Sequence, residues 1–321
     1  MILSVREVHR LSQRCFWAAG CSEANAKANA KSIWWTESYK GSGFTTLHTL
    51  LDELEELDPR AMSMRDRDSM TSLIDSKSQP VVVSSTPALD LSCAQANEHG
   101  IGVTHATTKE DDDSLPTLGH VASHAAERGY VSAVLYADGS GNAMTVLGTP
   151  MQPLPLIAET ELESPPVSYE RLLDVIDTGV HGRRQTPLTQ AMFVNPAEDE
   201  RHSTADARLL DRLIRQATEP TGDGRVDQPG LFVVCIDPSH PAQSGEVGNV
   251  VEGFVRDREA AFTEVFDPDT ITDRIDTLLH NGVEVEREVW RDIFEFSNGI
   301  LAPPFEGSEE GAGFGLNELD K

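Results

Sequence analysis

His120 and His124 are the first residues whose type and spacing could do chemistry, because an i, i+4 pair shares one helix face and can place two imidazoles around one metal ion. The carboxylates Asp111, Asp112 and Asp113 lie just upstream, and His105 falls near the end of the preceding apolar run. The glutamate of an H-E-x-x-H site is absent. Val121, Ala122, Ala125 and Ala126 take the apolar face of the same helix, so the pattern favours a solvated histidine face over a metal site. Gly139-Ser-Gly141-Asn-Ala-Met144 follows a predicted strand and opens like a dinucleotide fingerprint. Its third glycine is missing and no clear helix follows, so it reads as a glycine turn. Neither a G-x-S-x-G elbow nor a G-x-x-x-x-G-K-[ST] loop occurs, which gives no support to an α/β-hydrolase or a P-loop nucleotidase.

The 321 residues carry 26 Lys plus Arg against 53 Asp plus Glu, a net charge of −27. That length suits one large or two modest domains at ~100–200 residues each. So negative a surface repels phosphate backbones and anionic lipid headgroups, which argues against nucleic-acid or membrane-surface binding. Only Lys27, Lys31, Lys40, Lys77, Lys109 and Lys321 are lysines. Many carboxylates and few lysines read as a surface adapted to multimolar salt, where self-repulsion is screened within a few ångströms. Cys15, Cys21, Cys93 and Cys235 include no CxxC pair, which fits a reducing compartment. The charged start, Met1 to Glu7, is not that of a signal peptide, and the apolar run Leu231 to Ile236 is too short for a bilayer. A cytoplasmic protein is expected.

The elements that must position these residues fall into four stretches. Residues 1–60 read as helical. Ser4 and Glu7 form a capping box, Gly20 ends the first helix, Ser22 caps a second running to Trp34-Trp35, and Leu47 to Leu57 form a third stripe after the break at Gly41-Ser-Gly43. Residues 61–165 are a first α/β half. After a polar connection over 60–79, Pro80-Val-Val-Val-Ser84 reads as a short strand, and Thr86-Pro87 as the N-cap and first turn of a helix ending near Gly100. Strands follow at 101–107 and 130–137, with a helix over 117–128 between them, and this alternation predicts parallel pairing. Residues 166–285 form a second α/β half, with strands near 191–194 and 231–236 and helices at 204–217, 243–257 and 268–280. Residues 286–321 are a last helix and an acidic, Gly-rich tail.

The order of these pieces resembles the malate/L-lactate/sulfolactate dehydrogenase family, NAD(P)H-dependent reductases of 2-keto and cyclic imino acids with a fold of their own rather than a Rossmann domain. Thr86 to Gly102 resembles that family's helix and strand before its substrate loop, and Leu118 to Gly129 is similar to its L-G-x-y-a-x-x-A-a-e-x-G helix. Val146-Leu-Gly148-Thr149-Pro150 resembles the l-G-T-n-P loop, and Leu173-Asp174-Val-Ile-Asp-Thr178 the l-D-m-A-T-S segment beside the cofactor. Gly230 to Pro238 resembles the G-h-l-f-i-a-i-D-P strand, and His280 to Val285 the turn before the last helix. The resemblance implies an α/β, sulfolactate-dehydrogenase-like fold whose last helices pack near the first. It also implies a homodimer, and Gly148, Thr149, Asp174 and Thr178 as cofactor-side residues. The tail's Gly311-Ala-Gly-Phe-Gly is similar to that of a family of unknown function.

The departures fall where the chemistry belongs. The family's S-H-G donor stretch corresponds to Gly41 to Leu47, with no histidine before His48. Its S-x-H-x-G loop corresponds to Lys109-Glu-Asp-Asp-Asp113, its G-Y-K-G segment finds no room between Leu213 and Gly230, and its P-G-E loop becomes Asp267-Pro-Asp-Thr270. Losing the proton donor and the phosphate-binding loops together points to a divergent member that binds no dinucleotide tightly and serves as a small-ligand-binding protein or a partner subunit. The alternative is an active reductase using NAD(P)H, with His48 as a displaced donor.

The charge balance makes a prediction of its own. The melting temperature should rise as KCl goes from low to multimolar concentration, because screening removes carboxylate self-repulsion. A melting temperature that stays flat or falls over that range would refute the salt adaptation.

Overall fold

The computed structural model describes residues 1–66, 70–109, 111–137, 143–150, 154, 156–162, 230–240 and 264–300. The elements expected over 166–229 and 243–257, the tail beyond 300, and with them Asp174 and Thr178, lie outside the described residues.

The helical start forms as its caps dictate. β1 (Ile2–Leu3) leads into α1 (Val5–Ala18), where Glu7 N donates to Ser4 Oγ at 3.3 Å and Ser4 N donates to Glu7 Oε2 at 2.7 Å. α2 (Glu23–Lys40) is capped by Ser22 and runs past the tryptophan pair until Gly41 turns it off at a φ of 74°. The third stripe divides into α3 (Gly43–Thr49) and α4 (Leu51–Glu55), which bury Leu47, Leu50 and Leu54 together with Val8, Phe16 and Ile33.

The polar connection predicted over 60–79 is instead a pair of strands. β2 (Ser63–Asp66) and β3 (Thr71–Asp75) pair antiparallel, and β2 is exposed along its length, so its polarity marks a sheet edge rather than a loop. Pro80 to Ser84 is not a strand either. Val81 opens α5 (Val81–His99), and Pro87 lies inside that helix rather than at its start. The reason is a cap from elsewhere in the chain. Val81 N donates to Asp112 Oδ2 at 2.6 Å and Val82 N donates to Ser114 Oγ at 3.1 Å, which satisfies amide groups that a valine run cannot cap itself.

β4 (Ile101–Thr107) is followed by a short 3₁₀ turn at Leu115–Thr117 and by α6 (Leu118–Glu127), β5 (Val131–Ala137), β6 (Ala143–Thr149) and β7 (Leu156–Leu162). Then come β8 (Gly230–Ile236), β9 (Glu264–Phe266), α7 (Pro268–Asn281), β10 (Val283–Glu284) and α8 (Arg287–Ser297). Eight of the described strands form one sheet in the order β2-β3-β4-β8-β5-β6-β7-β9. Among the described strands only β3 and β4 pair parallel, with α5 as their crossover. β8 sits between β4 and β5, antiparallel to both, so the parallel pairing expected of those two strands does not form. All seven β8 residues are buried, which accounts for its unbroken apolar run. No described helix is long and apolar enough to cross a membrane.

α5 lies over β4 and β8, and α6 over β5 and β6. α2 touches both helices on one side and α1 and α3 on the other, so it joins the sheet core to the helical cluster. The chain's two described ends meet. β1 pairs with β10, the Met1 ammonium donates to the Val285 carbonyl at 2.5 Å, and α8 packs on α1, as the resemblance implied for the last helices.

Two predictions follow from α5. A Cβ on Gly102 would stand 2.0 Å from the Ser92 carbonyl oxygen, a backbone atom that cannot rotate away. Gly102→Ala should therefore lower stability by roughly 1–3 kcal/mol in urea denaturation, and a neutral result would mean that α5 does not lie this close. Burial, against hydrogen bonds from Ser114 and Val81, pushes the Asp112 carboxyl up from 3.8 to about 6. The folded state then holds that proton longer than the unfolded chain, so this group's contribution weakens as pH rises from about 4 to about 6. Asp112→Asn should gain on the parent protein by on the order of 2–3 kcal/mol across that window. Asp112→Ala, which leaves the Val81 N–H without its partner, should be the least stable at every pH. A parent–Asn difference independent of pH would show that Asp112 does not titrate in this range.

Candidate functional site

The segment leaving β4 is where the resemblance places the substrate-side loop, and here it is tied down by its own side chains. Lys109 Nζ pairs with Glu53 of α4, and Tyr136 on β5 donates its hydroxyl to the Lys109 carbonyl at 3.2 Å. Asp112 also accepts from Ser114 N at 2.8 Å while it caps α5. The Pro116 carbonyl accepts from Tyr39 Oη at 2.9 Å and Thr36 Oγ1 at 3.3 Å, both on α2. The acidic run predicted at a substrate mouth is thus divided: Asp112 is buried and structural, and Asp111 and Asp113 face solvent.

A second buried carboxyl holds the counterpart of the donor stretch. Glu37, 7% exposed near the end of α2, accepts from Phe44 N at 2.9 Å and so fixes the first turn of α3. Burial raises its pKa, and the hydrogen bonds from Phe44 and Gly43 oppose the rise. Gly43 is required there, because a Cβ would lie 2.0 Å from the Ile33 carbonyl oxygen. α3 carries His48, whose Nε2 lies 3.1 Å from Asp292 Oδ2 on α8, with both side chains about one-third exposed. The His48 hydrogen bond lowers the pKa of Asp292. A carboxylate beside an imidazole fixes its orientation, so the pair can bind or release a proton at a defined place.

The solvated-face reading of His120 and His124 is corrected. His120 is 3% exposed, with Nδ1 2.8 Å from Ser32 Oγ of α2, and its ring stacks on that of His124 at 5.3 Å. α6 is held between the sheet and α2, so it has two buried faces where the apolar pattern reported one. Burial drives the His120 pKa well below 6.5, and burial with the Arg128 charge takes His124 to about 4, so both rings stay neutral near pH 7. His105 stacks on Phe232 at 4.5 Å. Among the described residues no group of three His, Cys, Asp or Glu side chains could hold a metal ion.

Gly148 and Thr149 lie on β6 under α6 and are both buried. A Cβ on Gly148 would be 2.8 Å from the Ala122 carbonyl oxygen, and Thr149 is 2% exposed. Gly148 serves helix–strand packing, and neither residue offers the implied nicotinamide group an open surface. Gly139 to Asn142 of the fingerprint-like run lie outside the described residues, and Ala143 and Met144 begin β6, a strand, whereas a dinucleotide loop must open a helix. Sequence reasoning missed the roles of Glu37, Asp112 and Ser32, because each partner lies in another element. Only the Asp112-Asp-Ser114 spacing, which closes its own turn, carried a local signal.

Neither a protein-family model nor a curated protein matches the chain. Solved structures do. Malate dehydrogenase from Pyrococcus horikoshii OT3 superposes with a TM-score of 0.58 at 14% identity over 95% of this chain and 97% of that one. Malate dehydrogenase from Entamoeba histolytica gives 0.57 at 12% identity over 95% and 99%. Sulfolactate dehydrogenase from Methanocaldococcus jannaschii gives 0.56 at 12% identity over 93% and 97%. A likeness at such low identity is one of architecture, and the chain has the α/β fold of the malate and sulfolactate dehydrogenases.

Proposed function

We propose that this chain is a divergent protein of the malate/L-lactate dehydrogenase type that does not transfer hydride and acts as a small-ligand-binding protein or a partner subunit. The observation that carries the reading is the segment after β4. Where a substrate-side histidine is expected, Lys109 pairs with Glu53 and Asp112 caps α5, so these two groups are already committed to the fold. Reduction of a carbonyl needs a proton delivered as the alkoxide forms, and general-acid help is worth ~10²–10⁴ in rate. We place the protein in a reducing, salt-rich cytoplasm as a homodimer, on its charge, its scattered cysteines and the fold.

A second reading keeps catalysis. His48 paired with Asp292 is an oriented imidazole, and it supports an NAD(P)H-dependent reductase of a 2-keto or imino acid with a displaced donor. Its distance along the chain from the expected donor position weighs against it, since catalysis requires placement within about 0.5 Å.

Calorimetric titration of the full chain with NADH and NADPH in high-salt buffer separates the two. No saturable heat is expected at sub-millimolar cofactor, which corresponds to a Kd above roughly 1 mM, or ~4 kcal/mol at most. A micromolar Kd, with keto- or imino-acid reduction that disappears in His48→Ala, would overturn the first reading and establish the second.

A further inference from the structure

Cys93 on α5 and Cys235 on β8 are 142 positions apart in sequence, and their sulfurs meet at 3.8 Å inside the helix–sheet core. The neighbouring contacts fix that approach. Ser92 Oγ donates to the Val233 carbonyl at 2.8 Å, and Val233 and Cys235 share one face of β8. Above Cys93, Arg128 from the end of α6 reaches across to Asp90 on α5 at 2.7 Å, an ion pair that is partly open to solvent. The positive charge of that guanidinium acts on the Cys93 thiol and favours its thiolate.

The two thiols are therefore unequal. The hydrogen bond with Cys235 and the Arg128 charge hold Cys93 below its usual pKa against the effect of burial, whereas burial pushes Cys235 well above. The other two cysteines lack this arrangement. Cys15 donates to the Ile293 carbonyl at 3.6 Å and burial takes it to about 12, while burial alone takes Cys21 to about 11.

We propose that Cys93 and Cys235 form a modification site, a buried dithiol that a hydroperoxide converts into a reversible disulfide joining α5 to β8. The Cys93 thiolate attacks the distal peroxide oxygen. A sulfur–oxygen bond forms, the oxygen–oxygen bond breaks, and the leaving oxygen departs as an alcohol, or as water when the oxidant is hydrogen peroxide. The Cys235 sulfur then attacks Cys93 sulfenic acid. The sulfur–sulfur bond forms, the sulfur–oxygen bond breaks, and hydroxide leaves as water with the Cys235 proton. Two thiols lose two electrons and the peroxide gains them. Rotation about the two Cα–Cβ bonds must bring the sulfurs to about 2.05 Å.

The test treats the native full-length protein with hydrogen peroxide, removes the oxidant, unfolds the chain in maleimide and maps the peptides by mass spectrometry. The expected product is one Cys93–Cys235 cross-linked peptide, reversed by dithiothreitol, with Cys15 and Cys21 recovered as maleimide adducts. In Cys235→Ser, dimedone should trap sulfenic acid on Cys93. In Cys93→Ser, Cys235 should stay maleimide-reactive. Recovery of maleimide on both Cys93 and Cys235 in the treated parent protein would overturn the proposal, as would oxidation falling first on Cys15 or Cys21. The parent protein's peptide map decides the matter even where a variant folds poorly.

Discussion

α5 lies on the sheet at backbone contact. Gly102 has no side chain because the Ser92 carbonyl occupies that space, and the Ser92 hydroxyl bonds the Val233 carbonyl across the same interface. So close a seat has two requirements. β8 must stand between β4 and β5 beneath the helix, and the first turn of the helix must be capped although its residues are valines. Asp112 and Ser114 supply the caps from the far end of β4, so the loop after that strand, the start of α5 and the middle of the sheet are one mechanical unit. This unit fixes what the loop can do. Its buried carboxyl cannot both cap a helix and meet a substrate, because an Asp112 turned outward would leave the Val81 N–H buried and unpaired.

Carboxylates elsewhere in the molecule divide in the same way. Glu37 holds the start of α3 and Glu53 holds Lys109, while Glu56, Asp111 and Asp113 face solvent. The net charge counts both groups alike, although a carboxylate held by amide groups or paired with a lysine adds little to surface repulsion. Salt screening acts on the exposed charges and leaves the buried caps nearly untouched, so ionic strength and pH probe different carboxylates in this protein.

How far the sequence could be read depended on where each partner sits. The capping box at Ser4 and Glu7, the glycine stop at Gly41, the apolar run of β8 and the helix from Pro268 were readable because donor and acceptor, or the whole buried face, lie within a few residues. The start of α5 was not, because its caps come from 31 and 32 positions away and its valines favour a strand by propensity. β2 was missed because an exposed edge strand has no apolar alternation to show, and β3 because its buried positions include the polar Thr71 and Ser72. His120 was misplaced because a helix packed on both sheet and α2 hides a second contact face that apolar spacing alone does not reveal. Of the candidate site residues, His48 found a partner that no local pattern suggests, Asp292, 244 positions on.

That pairing depends on the chain closing on itself. β1 pairs with β10, Val285 N returns a bond to the Met1 carbonyl at 2.8 Å, and Arg14 of α1 bonds the Asn298 side chain at 2.9 Å. These contacts fasten α8 to α1 and so set Asp292 opposite His48 on α3. The His48–Asp292 pair therefore belongs to the helical cluster of the two chain ends, while Lys109 and Asp112 belong to the loop at the end of β4, which Lys109 ties to Glu53 of α4. α2 contacts both α3 and the turn at Leu115–Thr117. Glu37 at the end of α2 fixes the first turn of α3 and with it the place of His48 relative to that loop. The spacing of the two groups thus rests on a buried carboxyl in a third element.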